Sequence, residues 1–132
     1  MTRVMLASLL LSLPSALTAQ SPMSAEEFDA YTQGQTFYYA ENGTAYGGEE
    51  YLRNRRVRWS FLGDECKDGY WYPQDGLICF VYEDFNGPQC WSFTATSDGL
   101  RATFHGEGAT TELYEVRKTD KPLLCLGPEV GV

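Results

Sequence analysis

A chain of 132 residues is long enough to bury one hydrophobic core and too short for two domains of ordinary size. Eighteen acidic side chains against ten lysines and arginines give a formal net charge of −8, which argues against nucleic acid or an anionic membrane surface as partners. A single histidine, His105, and the absence of any C-x-x-C pair argue against zinc and against a thiol redox centre.

The chain opens MTRVMLASLLLSLPSALTAQSP, with Arg3, an apolar run from Val4 to Leu13, the helix breaker Pro14 and small residues among Ser15 to Ala19. That is the layout of a secretory signal peptide. A membrane span would need about 20 predominantly apolar residues, whereas this run carries Ser8 and Ser12 and stops at Pro14. Cleavage is placed after Ala19, giving a signal peptide 1–19 and one domain 20–132 of 132 − 19 = 113 residues, with no membrane span after cleavage. Loss of Arg3 takes the formal charge from −8 to −9. Cys66, Cys79, Cys90 and Cys125 all fall in the exported part, and an even count in an oxidising compartment reads as disulfides. The expected location is periplasmic or secreted.

The first predicted element of the domain is a short helix, about Ala25 to Gln33, with Ser24 as N-cap, Glu27 completing a capping box, Met23 stapling against Phe28 and Gly34 ending it. Aromatic and β-branched runs separated by Gly, Asn, Asp and Pro then predict strands at Thr36–Ala40, Thr44–Leu52, Arg55–Leu62, Cys66–Tyr72, Leu77–Tyr82, Gln89–Thr96, Leu100–His105 and Thr110–Arg117. The short connections require antiparallel neighbours. Alternation of Val57, Trp59 and Phe61 with Arg56, Arg58 and Ser60 marks a half-buried strand. The expected fold is therefore mainly β: an antiparallel meander of about eight strands forming a small barrel or strongly curved sheet, with one short N-terminal helix. From Thr119 onward Pro122 and Pro128 interrupt any periodicity, and an extended tail pinned by Cys125 is expected.

Register decides the disulfides. A hairpin of the fifth and sixth runs with Cys79 opposite Cys90 sets Ile78 opposite Trp91, Phe80 opposite Gln89, Val81 opposite Pro88 and Tyr82 opposite Gly87, around a four-residue tip from Glu83 to Asn86. A Cys66–Cys79 bond would centre a hairpin at Tyr72 and Pro73, away from the turn residues at Gln74 and Asp75. Cys66 is thus left for Cys125.

Few residues suggest chemistry. No serine stands in a G-x-S-x-G context, all cysteines are expected to be bonded, and nothing singles out a carboxylate pair for a hydrolase, so no catalytic residue is assigned. No cofactor and no metal ligand set is assigned either, and the oxygen-rich segment Glu83 to Gly87 is too short for a calcium loop and reads as a solvated tip. Arg53, Arg55, Arg56 and Arg58 hold four of the 10 − 1 = 9 basic residues left after cleavage and form a candidate anion-binding surface. Set against this is an ordinary exposed strand whose arginines pair with Glu49, Glu50 and other acidic neighbours. Phe37, Tyr39, Trp59, Phe61, Trp71, Phe80, Trp91 and Phe93 are expected to fill the interior or line a cavity in the barrel, where an open volume above about 300 Å³ would favour a carrier.

The run Gly69-Tyr70-Trp71, then Gly76 to Tyr82, then Cys90-Trp91, with Met23 to Gly34 as the start of the domain, resembles a pattern in small exported uncharacterised proteins of alphaproteobacteria. In these a G-x-W strand, a C-F-x-Y strand and a later cysteine build a hairpin pair; the resemblance implies no activity. Eight-stranded periplasmic lysozyme inhibitors are similar in size and compartment, but their inhibitory loop has no good match around Ala95 to Leu100. The expected function is a non-catalytic periplasmic binding or interaction module, its partner a periplasmic protein or an acidic small ligand. The alternatives are a hydrolase using unidentified carboxylates or a carrier of a small apolar ligand.

Overall fold

The computed structural model describes residue 14 and residues 21–62, 65–84, 86–108 and 110–125. The expected signal peptide apart from Pro14, Gly63 and Asp64 between the third and fourth expected strands, Phe85, Ala109 and the tail beyond Cys125 lie outside the described residues. Helix α1 spans Ala25–Thr32. It starts at the expected capping box: Ser24 Oγ accepts from Glu27 N, and Ser24 N donates to Glu27 Oε1.

Eight strands follow: β1 (Thr36–Glu41), β2 (Thr44–Tyr51), β3 (Arg56–Phe61), β4 (Lys67–Gln74), β5 (Leu77–Tyr82), β6 (Gln89–Thr96), β7 (Gly99–Phe104) and β8 (Glu112–Thr119). They pair antiparallel in sequence order, and β1 also pairs with β8, so the sheet closes into a barrel. Closure leaves no free sheet edge among these strands. The register shifts in β1, between Tyr39 and Ala40 against β2 and between Tyr38 and Tyr39 against β8, supply the local bend where the two ends of the sheet meet.

The strand boundaries differ from expectation in three informative places. β4 runs on through Pro73 to Gln74, because its pairing with β3 ends at Tyr70 and a missing N–H beyond that point interrupts no β3 ladder. β8 is displaced toward the C-terminus, Glu112–Thr119, by pairing Thr36 of β1 with Thr119. The β5–β6 ladder sets Cys79 opposite Cys90, Ile78 opposite Trp91 and Phe80 opposite Gln89, as register requires, but stops there. The expected pairs Val81–Pro88 and Tyr82–Gly87 do not form. Pro88 has no N–H to offer the ladder, and β5 instead continues alone along β4, with Tyr82 opposite Gly69. The loop is therefore longer than a four-residue tip, and that end of the barrel is open.

Disulfides join Cys79 to Cys90 across β5 and β6 and Cys66 to Cys125 at a separation of 59 residues, and no described cysteine is free. Two such bonds suit an oxidising, extracytoplasmic environment. No helix among the described residues is long and apolar enough to cross a membrane.

The interior follows the two-residue period. Phe37, Tyr39, Tyr51, Val57, Trp71, Phe80, Phe93, Leu100, Ala102 and Leu113 are buried together. α1 closes one end of the barrel by driving Phe28, fully buried, into this cluster. Its ring lies 5.5 Å from Tyr51, 5.2 Å from Trp71, 6.4 Å from Phe80 and 4.4 Å from Phe93, the first three edge-on. The helix is also tied down by Met23 N donating to Phe93 O at 2.7 Å. One end is thus plugged, and the other, where β1 meets β2, β3 meets β4, β5 meets β6 and β7 meets β8, forms the mouth.

Candidate functional site

The mouth holds a cavity of about 220 Å³. Its floor is Tyr39, Tyr51, Phe80 and Phe93; its walls include Tyr46, Trp59, Tyr82 and Trp91; Lys67, Asp84, Asn86 and Gln89 stand around its opening.

Strand alternation puts an acid among these rings. In β2, Gly47, Glu49 and Tyr51 fall on one face, so the register that buries Tyr51 also carries Glu49 inward, where it is 2% exposed. Tyr82 Oη donates to Glu49 Oε1 at 2.9 Å, while Glu49 Oε2 is buried without a hydrogen-bond partner. Burial raises the Glu49 carboxyl well above its ordinary range, and the Tyr82 hydrogen bond offsets only part of that. Below it, the hydroxyls of Tyr39 and Tyr51 share a hydrogen bond of 2.9 Å. Burial likewise raises the phenols of Tyr39, Tyr51 and Tyr82, so these groups stay neutral at physiological pH.

The wall on the β2–β3 side is aromatic. The rings of Tyr46, Trp59 and Phe61 lie 5.4 to 5.8 Å apart, Trp59 and Phe61 at 90°. Gly47 makes this possible: a Cβ there would stand 2.5 Å from Trp59 Cζ2. On β6, Trp91 packs on Phe104 at 5.0 Å. Phe61, expected to fill the interior or line a cavity, lines the mouth and is 42% exposed, because it sits where β3 leaves the barrel.

Sequence reasoning assigned Glu49 to the surface as a partner for the arginines, and the structure corrects this: only Glu50, on the outward face, plays that part. Arg58 binds Asp68 Oδ1 at 2.9 Å and lies 3.9 Å from Glu50 Oε1 on the outside of the barrel. Arg53 and Arg55 form a 3-10 turn at the plugged end, and Arg55 lies over the Trp71 ring at 4.7 Å. Arg56 projects from β3 beside Tyr70. Arg53 and Arg55 thus lie in the β2–β3 turn and Arg56 and Arg58 on the outer face of β3, where Arg56 borders a shallow outer groove shared with Asp68 and Glu83. The signal for Glu49 was legible as the phase of Gly47, Glu49 and Tyr51, but a charged residue at an inward position runs against the usual pattern.

The loop after β5 is also more than a solvated tip. Asp84 pairs with Lys67 at the rim, Glu83 Oε1 accepts from Asp68 N at 3.2 Å, and Asn86 faces the cavity. On the outside, Ser92 Oγ and His105 Nε2 are 2.9 Å apart, a contact the sequence did not suggest because the β6–β7 register makes it. Neither residue lines the mouth, and among the described residues no carboxylate orients His105. No group of three or more His, Cys, Asp or Glu side chains placed to hold a metal occurs among the described residues. No protein-family model, curated protein or solved structure matches the chain.

Proposed function

We propose that the chain is a non-catalytic binding module of the periplasm that takes a small ligand into the mouth of its barrel. The observation that carries this reading is Glu49: a buried carboxyl with one oxygen bonded to Tyr82 and the other unpartnered, in the wall of a cavity open to solvent. Leaving a buried polar atom unsatisfied costs about 1–3 kcal/mol, and a ligand donor would recover that cost. The volume of about 220 Å³ lies below the roughly 300–1,000 Å³ of drug-sized sites, so the ligand is small. Hydrolysis by two carboxylates is less well supported, since among the described residues the other acid lining the cavity, Asp84, is held at the rim by Lys67. The two disulfides and the N-terminal signal pattern support export to the periplasm.

Native mass spectrometry of the protein purified gently from bacterial periplasm tests the reading, comparing wild type with Ala102→Leu, which adds a side chain to the cavity wall. A bound small molecule on the wild type that is lost or depleted in the variant is expected. Equal occupancy of the two proteins, or none on either, would contradict it.

A further inference from the structure

We infer that the ligand is a small protonated amine, its ammonium bound to Glu49 Oε2 and its body held against the Tyr46, Trp59 and Phe61 rings. This rests on the mouth being the binding site, and it commits to the charge of the ligand, which that reading alone does not.

Three observations converge. The unpartnered oxygen is a pure acceptor site once Glu49 is ionised, and an ammonium has three donors and no acceptor. The wall next to it is a cluster of aromatic rings, and ring faces attract cations while adding apolar contact area. The cavity also disfavours anions: the one basic residue lining it among the described residues, Lys67, is paired with Asp84, and the chain carries a net charge of −8 that draws cations toward it. The groups facing Glu49 from the neighbouring strands are Tyr82 on β5, Tyr39 on β1, Tyr51 within β2 and Trp59 on β3, all uncharged at neutral pH; among the described residues, Lys67 and Asp84 are the charges lining the opening.

Binding then includes a proton step that balances simply. The ammonium enters with its charge, any proton that the raised Glu49 carboxyl still holds is released to solvent, and a buried carboxylate–ammonium pair results. The charge-assisted hydrogen bond to Oε2 and the ring faces offset the cost of desolvating the two charges, and Tyr82 continues to donate to Oε1.

The test is isothermal titration of the full mature chain at pH 7 with three probes of one shape: 2-phenylethylamine, 2-phenylethanol and 3-phenylpropionate. Titrations in phosphate and HEPES report proton release by their difference in heat. The amine is expected to bind at least about ten-fold tighter than the alcohol or the acid, and to lose at least about ten-fold on Glu49→Gln. Glu49→Gln keeps the Tyr82 hydrogen bond and is checked by circular dichroism; Trp59→Leu is the second variant and is expected to weaken the amine as well. If the alcohol or the acid binds as tightly as the amine, or both variants leave the amine unchanged, the amine inference is overturned, and binding that Ala102→Leu still weakens would leave the mouth reading standing. Failure of all three probes to bind, with no small molecule on the periplasmic protein, would overturn both.

Discussion

Tyr82 on β5 donates a hydrogen bond of 2.9 Å to Glu49 on β2 inside the barrel and leaves the second oxygen of that buried carboxyl unpartnered. The pair sits where a ladder ends: β5 extends past its pairing with β6, and Tyr82 stands in the wall of the opening that results.

Glu49 should make stability depend on pH in a definite sense. Burial raises its carboxyl above the ordinary value of 4.5, so between that value and the raised one the native state holds a proton that the unfolded chain has lost. Stability from this group is complete below pH 4.5 and falls as pH rises, by up to about 1.4 kcal/mol per pH unit. Thermal melts of wild type and Glu49→Gln should nearly coincide at pH 4, with the variant increasingly the more stable as pH rises above 4.5. A difference that does not change with pH would show that Glu49 is not held protonated.

The plugged end should be costly to empty. Phe28 lies fully buried against four aromatic rings, and truncation of a buried aromatic to alanine costs about 3–5 kcal/mol. Urea unfolding of Phe28→Ala should show that loss; a loss under about 1 kcal/mol would mean that α1 merely rests on the barrel.

The two disulfides should differ in worth. Loop-closure entropy assigns roughly 3 kcal/mol to the 11-residue separation of Cys79–Cys90 and roughly 4 kcal/mol to the 59-residue separation of Cys66–Cys125. Paired alanine variants compared by urea midpoint should therefore rank in that order. The reverse order would show that strand pairing across Cys79 and Cys90, not chain entropy, sets the cost.

Much of the barrel was legible because local chemistry and global pairing agree in it. Ser24 and Glu27 specify the start of α1, Asn42-Gly43 and Asp75-Gly76 specify turns, and the Cys79–Cys90 register follows from turn position and strand period. Of the site, the aromatic lining was legible in Tyr39, Trp59, Phe61, Phe80, Trp91 and Phe93, but the buried acid and the opening were not read, because they depend on departures from those rules. Pro88 ends a ladder that spacing alone would continue, and Glu49 occupies an inward position that composition reserves for apolar residues. Ser92 and His105 meet only through pairing of β6 with β7.

Gly47 should be intolerant of a side chain. Its Cβ would approach Trp59 Cζ2 to 2.5 Å and Ser60 O to 2.7 Å, and relieving such a clash costs about 1–3 kcal/mol. Gly47→Ala should unfold at lower urea, and the Trp59 indole N–H resonance should move in its NMR spectrum. An unchanged resonance would place the strain elsewhere.

The most direct measurement is an NMR titration of the isotope-labelled mature chain with 2-phenylethylamine, following backbone amides and indole N–H groups. Shifts concentrated at Tyr46, Glu49, Trp59, Tyr82 and Trp91, with Phe28 and Trp71 at the plugged end little affected, are the predicted result. Shifts confined to the outer arginines at positions 53, 55, 56 and 58, or none at the mouth at saturating amine, would contradict it.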